Sequence, residues 1–256
     1  MRYAELLEYS FPKIHTVNVK SQRHPGRGLG RTADAEYVGG GSFADAYSNP
    51  KRTPHDIRKL SNQPRNAHDL DGFFYYIKAL EKNPDNDNPY FPRFRQIKVY
   101  IDRDEFDGWS TGETDPRRDE ITYSTQMERL EDMRTLTKRE NEAIKRRIFG
   151  DNYDDAQRSL DTVDHHSFGQ ELLTVIDQAI NHAGSRAGLN GYIVDEDFVR
   201  ATAFIKKIAN KYSIGLDLHD ENIMFRRGPT GVHLVLTDPL SFVHSGISHQ
   251  DDITAD

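Results

Sequence analysis

Asp217, Asn222 and Asp238 are the residues whose types and spacing most readily suggest chemistry. A carboxylate, an amide five positions on, an apolar run (Ile223, Met224, Phe225), a break, a second apolar run (Leu234, Val235, Leu236) and another carboxylate form a compact set. Such a set can hold divalent cations against a polyphosphate while a hydroxyl is deprotonated. His219 sits inside it, and beside two carboxylates an imidazole suits a hydrogen-bonding orienter better than a metal ligand. Asp217 and Asn222 alone would also fit an Asx-rich turn between strands. The apolar run and Asp238 that follow them favour metal binding.

Composition sets the frame. The chain has 256 residues, enough for one medium domain or a two-lobed one, and 36% of them are hydrophobic. A formal net charge of −7 argues against a general nucleic-acid or membrane-surface binder, because phosphate-rich partners reward clustered Lys and Arg. With no cysteine, disulfides, a thiolate nucleophile and a Cys-based zinc site are excluded. No apolar run approaches the length of a transmembrane helix, and no signal-peptide core follows Met1, so a cytoplasmic setting is expected.

The elements that must position the chemistry can be read from periodicity. Residues 1–35 carry a weak apolar pattern and a glycine-bearing run, 25–31, that lacks a P-loop ending and reads as a turn. Glu36-Tyr37-Val38 is strand-like, Gly39 to Phe43 a turn, and Ala44 to Ser48 a returning strand. Glycines at such a bend let backbone N–H groups approach an anion closely. Asp56 to Leu60 is a third strand with Ile57 and Lys59 on one face.

Ala67 to Lys82 has helical period, with Asp69 or Asp71 as N-cap and Phe73, Phe74, Ile77 and Leu80 on one side. Phe94 to Ile101 and Ile121 to Met127 alternate as strands, and the charged stretch between them reads as a solvated loop. Beyond residue 130 the pattern turns helical. Thr137 to Glu140 is a capping box opening a helix that stops at Gly150. A helix over Ser167 to His182 follows, then one over Asp195 to Tyr212 with Asp195 or Asp197 at its start. His165-His166 reads as a solvated helix start. The order predicts an α+β, two-lobed fold: an N-terminal extension over 1–35, a β-rich lobe with one helix over 36–130, and a helical lobe with the hairpin over 131–256.

Together these segments resemble protein kinases. Gly39-x-Gly41-x-Phe43-Ala44-x-Ala46 is similar to the kinase glycine-rich loop, with Ala at its third glycine and at its valine. Lys59 stands where the β3 lysine falls, Asp217 with Asn222 matches the catalytic-loop D-x-x-x-x-N, and Asp238-Pro239-Leu240 stands at D-F-G. The resemblance is nearest to the early serine/threonine protein kinases of lytic podovirus-type bacteriophages and covers roughly residues 36–242. It implies a kinase-like fold with a truncated, minimal helical C-lobe, and it implies ATP and Mg²⁺. Asp217 would be the base, Asn222 and Asp238 the metal ligands, and Lys59 the partner of the α- and β-phosphates. Gly39, Gly40, Gly41, Ser42, Phe43 and Ala46 would cover the phosphates. Met127 would be the gatekeeper, with Glu128 to Leu130 contacting adenine.

Several positions depart from the family pattern. Gly215-Leu216 replaces the His-Arg before the catalytic Asp, and His219 replaces the catalytic-loop lysine, as in aminoglycoside phosphotransferases. Pro239 replaces Phe and fixes φ beside a metal ligand, which argues against an in/out flip. Fourteen residues after Phe242 leave no room for an activation segment. The acidic partner of Lys59 is Asp71 or Glu81. The expected function is phosphoryl transfer to Ser/Thr of host proteins and of the kinase itself. The alternatives are a pseudokinase that masks a host protein, a small-molecule kinase, and an AMP transferase.

Overall fold

The computed structural model describes residues 14–18, 35–40, 44–61, 65–66, 72–102, 120–160, 168–184, 191–219, 221–229 and 231–241. The fold is mixed α+β. The chain forms two compact units: Met1–Asp87, Arg93–Arg129 and Phe242–Asp256 make the first, and Asn88–Pro92 with Leu130–Ser241 the second.

The first unit is built on a sheet in the order β1-β6-β7-β4-β3-β2, with β5 also on β7. Its strands are β1 (Ile14–Asn18), β2 (Glu36–Gly40), β3 (Ala44–Asn49), β4 (Thr53–Ser61), β5 (Arg65–Asn66), β6 (Phe94–Asp102) and β7 (Glu120–Glu128). Strand alternation sets the register. Gly39 lies opposite Ala46, Ala46 opposite Lys59, Lys59 opposite Thr125, and Thr125 opposite Ile97, so these residues share one face. Helix α1 (Gly72–Glu81) covers that face, with the Phe73 ring 5.7 Å from Tyr123 and 6.2 Å from Phe94. Four aromatics in a row (Phe73, Phe74, Tyr75, Tyr76) are buried on α1 with Ile77 and Leu80, so this helix is apolar around most of its circumference.

Two readings are corrected in this unit. Gly39 and Gly40 continue β2, opposite Ala46 and Asp45, instead of opening the turn; the turn residues Gly41, Ser42 and Phe43 lie outside the described residues. A Cβ added at Gly39 would meet nothing within 4 Å, so an extended strand passes through it without conflict. β1, which the sequence reading left unassigned, pairs parallel to β6. The glycine-bearing run 25–31, Asp69, Asp71, the loop 103–119 and His165-His166 lie outside the described residues.

The second unit contains α2 (Lys138–Phe149), α3 (Tyr153–Leu160), α4 (Phe168–Asn181), α5 (Glu196–Tyr212) and a small sheet in the order β10-β9-β8. The sheet strands are β8 (Glu131–Asp132), β9 (Ile223–Gly228) and β10 (Gly231–Leu236). The capping box forms as expected: Thr137 Oγ1 accepts from the Glu140 N–H at 3.2 Å, and Glu140 Oε2 accepts from the Thr137 N–H at 2.9 Å. The Thr137 N–H, and then the Thr137 hydroxyl donating to Oε2 at 2.8 Å, hold the Glu140 carboxyl below its usual range. Gly150 ends α2 at a φ of 57°. Of the two candidates at the start of α5, Asp195 is the cap, accepting from the Phe198 N–H at 3.0 Å.

The apolar stripes predicted for α4 and α5 are buried: Leu172, Val175, Ile176 and Ala179 on one helix, Phe198, Ala201, Ile205 and Ile208 on the other. α5 ends at Ser213, a left-handed residue with a φ of 54°, and the Ile214 N–H returns to the Ala209 carbonyl at 2.9 Å. That turn passes the chain from the longest helix to Gly215 and the candidate site. Among the described residues, no helix is long and apolar enough to cross a membrane.

Candidate active site

The site residues of the second unit are held by backbone bonds before any side chain acts. Gly215 to Asp217 runs antiparallel to Pro239 to Ser241, with Leu216 bridged to Leu240. The Asp217 N–H donates to the Pro239 carbonyl at 3.0 Å, and the Ser241 N–H donates to the Gly215 carbonyl at 2.9 Å. On the other side, the Asn222 carbonyl accepts from the N–H groups of Thr237 at 2.9 Å and Asp238 at 3.3 Å. The turn before β9 is closed by the His219 carbonyl, which accepts from Asn222 at 3.0 Å and Ile223 at 3.2 Å. Asp217, His219, Asn222 and Asp238 therefore stand on one braced scaffold.

Gly215 explains part of its tightness. A Cβ there would lie 2.9 Å from Ser241 Oγ, so any side chain at this position must displace the Ser241 hydroxyl. Sequence reading noted Gly215 only as a departure from His-Arg. No local signal marks Ser241 as its neighbour, because the contact joins segments 26 residues apart in sequence.

The side chains divide the work. Asn222 is nearly buried; its Nδ2 donates to the Asp217 carbonyl at 2.8 Å and stands 2.8 Å from His219 Nε2. With Nδ2 turned to Asp217, Oδ1 is the group with lone pairs to offer a cation. Asp217 and His219 are about half exposed, at 49% and 44% of their side-chain surface, and His219 Nε2 stands 3.7 Å from Asp217 Oδ2. That separation exceeds hydrogen-bond reach, so the Asp217 carboxylate faces solvent. Amide and carboxylate oxygens suit Mg²⁺, which takes few protein ligands and retains water and phosphate oxygens. Asn222 Oδ1 and Asp238 fit that donor set. Among the described residues, no group of three or more His, Cys, Asp or Glu could hold a metal ion, so a densely liganded zinc- or calcium-type site is not formed by them.

The first unit holds the other candidates. Lys59 Nζ lies over the Phe73 ring, 3.8 Å from its centroid. Lys59 thus meets α1 at its first turn. Glu81, at the far end of α1, is about 12 Å farther along the helix axis at 1.5 Å per residue. Asp71 lies outside the described residues. Phe73 reads from the sequence as core and rim packing, and helical period gives no hint that a cation sits on it. Ala46 is half-buried beside Lys59 and Gly39. Met127 is buried opposite Ile57 and Phe94. Glu128 is fixed twice by Arg93: its N–H donates to the Arg93 carbonyl at 3.0 Å, and its Oε1 accepts from the Arg93 N–H at 2.9 Å. Leu130 is buried at the start of the second unit's main segment.

A scan against models of known protein families finds no match, and a search of curated protein sequences finds none either.

Proposed function

We propose that the chain is an ATP- and Mg²⁺-dependent phosphotransferase of protein-kinase-like fold, acting on Ser or Thr hydroxyls of proteins. The observation that carries this reading is the shared bracing of Asp217, Asn222 and Asp238 by the Gly215–Asp217/Pro239–Ser241 ladder and the Asn222 carbonyl. Preorganised groups of this kind are what phosphoryl transfer asks of a protein, because little covalent chemistry is left to it. The exposed Asp217 carboxylate suits a base that accepts the proton of an incoming hydroxyl. Asn222 Oδ1 and Asp238 would hold Mg²⁺, which supplies neutralisation of phosphate charge when bound. Lys59, presented on the face shared with Gly39 and Ala46, suits a phosphate contact.

The motifs that resemble early phage kinases support host proteins and the kinase itself as substrates, in the host cytoplasm. The net charge of −7 favours protein over nucleic-acid partners. Incubation of the purified chain with γ-labelled ATP, Mg²⁺ and a bacterial lysate is expected to label lysate proteins or the chain itself. Asp217→Ala should abolish the labelling, and intact mass should show a phosphate and not an AMP adduct. Absence of transfer at every divalent-metal concentration would overturn the reading. A small-molecule acceptor is the second reading, favoured by His219 at the position of the catalytic-loop lysine; a metabolite phosphorylation screen separates the two.

A further inference from the structure

We infer that His219 is a positioning residue for metal binding: it fixes the Asn222 amide so that Oδ1, and not Nδ2, is presented to the cation. The inference rests on the phosphotransferase reading and adds a role for a residue that protein kinases do not carry there.

The argument is one of donor and acceptor bookkeeping. Asn222 Nδ2 stands 2.8 Å from the Asp217 carbonyl oxygen and 2.8 Å from His219 Nε2. Exchanging the amide's nitrogen and oxygen would set two acceptor oxygens 2.8 Å apart, which is repulsive, so Nδ2 faces Asp217. Its second hydrogen then points at His219 Nε2, which must offer a lone pair. A neutral imidazole has one lone pair, and two N–H groups approach the ring: Asn222 at 2.8 Å and the Glu221 backbone at 3.3 Å to Nδ1. The shorter contact takes the lone pair, and the longer approach of the Glu221 N–H to Nδ1 gives way. Nε2 accepts and Nδ1 carries the proton. This tautomer makes no hydrogen bond to Asp217 Oδ2, 3.7 Å away, so His219 orients the amide without occupying the carboxylate.

Three substitutions separate this role from simple packing. Glutamine carries a carbonyl oxygen at the reach of Nε2, asparagine carries one only at the reach of Nδ1, and phenylalanine keeps the ring with no acceptor. Mn²⁺ binding to the full chain, with a non-hydrolysable ATP analogue, is read by water-proton relaxation, with melting in the absence of metal as the control for folding. His219→Phe and His219→Asn are expected to weaken Mn²⁺ binding by about tenfold, the size usual for losing a residue that orients a metal ligand, while His219→Gln restores most of it. The glutamine–asparagine contrast stands even if the phenylalanine chain fails to fold. Equal Mn²⁺ affinity in wild type, His219→Phe and His219→Asn would overturn the inference and leave the phosphotransferase reading intact. A wild-type chain that binds no Mn²⁺ with the nucleotide would overturn both.

Discussion

The backbone N–H of Asp217 donates to the carbonyl of Pro239 at 3.0 Å, one residue beyond Asp238. With the Ser241–Gly215 bond at 2.9 Å and the Leu216–Leu240 bridge, this makes a two-rung ladder that fixes the register of the two carboxylates. Turning the Asp238 backbone away would strain both rungs, and the Pro239 ring, which locks φ near −65°, removes one of the torsions that could absorb the change. The proposed metal ligand and the proposed base are thus parts of one rigid piece, and preorganisation costs nothing at the moment of reaction.

Gly215 is where that rigidity can be tested. An alanine Cβ would lie 2.9 Å from Ser241 Oγ and 3.9 Å from Ser241 Cβ. Gly215→Ala is expected to destabilise the chain by about 1 kcal/mol, at the low end for overpacking, because a hydroxyl can rotate aside. Adding Ser241→Ala removes the closest atom, so Gly215→Ala/Ser241→Ala should recover most of the loss in urea unfolding. Additive losses in the double variant would show that the ladder, and not the hydroxyl, is what the new methyl disturbs.

Lys59 over Phe73, 3.8 Å from the ring centroid, gives a second test, this one within the first unit. A cation–π pair contributes about 0.5 kcal/mol when exposed and about 2 kcal/mol when desolvated, and Lys59 is half-buried. A double-mutant cycle with Lys59→Met and Phe73→Leu should return a coupling energy in that range of about 0.5–2 kcal/mol by chemical unfolding. Under the phosphotransferase reading, Lys59→Met also abolishes label transfer while the chain stays folded. Zero coupling would mean that the ring is only core beneath a lysine held by other groups.

What the sequence made legible was local. The capping box at Thr137 and Glu140 and the stripe on α5 announce themselves within one turn of helix, and both form. Asp217, Asn222 and Asp238 stand out by spacing, while the backbone ladder that braces them does not. Elements decided by distant partners were not legible. β1 is a short Ile-His-Thr-Val-Asn stretch whose strand character depends on pairing with Ile97 to Ile101. α3 reads Tyr-Asp-Asp-Ala-Gln-Arg-Ser-Leu, two turns whose apolar side is only Tyr153, Ala156 and Leu160, too short for a period to stand out. The strap Asn88–Pro92 has no periodicity to mark it. Its structure lies in bonds to β9, β10 and α5: Arg226 donates to the Pro89 and Phe91 carbonyls, both at 3.0 Å, the Leu236 N–H donates to the Tyr90 carbonyl at 2.9 Å, and Asn88 Nδ2 donates to the Asp197 carbonyl at 2.9 Å.

Asn141 is a polar residue in the wrong place for stability. It is fully buried on α2, and among the described residues neither its Nδ2 nor its Oδ1 has a hydrogen-bond partner. Burying an amide in this state costs about 1–3 kcal/mol. Leucine has the same number of side-chain heavy atoms and no polar group, so Asn141→Leu is expected to stabilise the chain by about 1 kcal/mol after some loss to overpacking. The measurement is the urea midpoint with and without the substitution. A lowered midpoint would show that the amide is satisfied by a buried water that leucine displaces.

Tyr90 sets the response to alkali. Its hydroxyl is buried and donates to Asp195 Oδ2 at 2.8 Å, while Asp195 Oδ1 caps α5. Burial, and then the adjacent Asp195 charge, push the phenol well above its usual range. A group raised in the folded state stabilises the fold fully below its unfolded pKa of about 10, and that contribution is lost as pH rises beyond it. Unfolding by urea should therefore need steadily less denaturant between about pH 9 and pH 11. Tyr90→Phe gives up the hydrogen bond, costing about 0.5–1.5 kcal/mol at neutral pH, but it has no proton to lose. The two stability curves should converge as pH rises through that window. If they run parallel from neutral to alkaline pH, the phenol contributes nothing to the alkaline limit, and the bond to Asp195 is a capping detail alone.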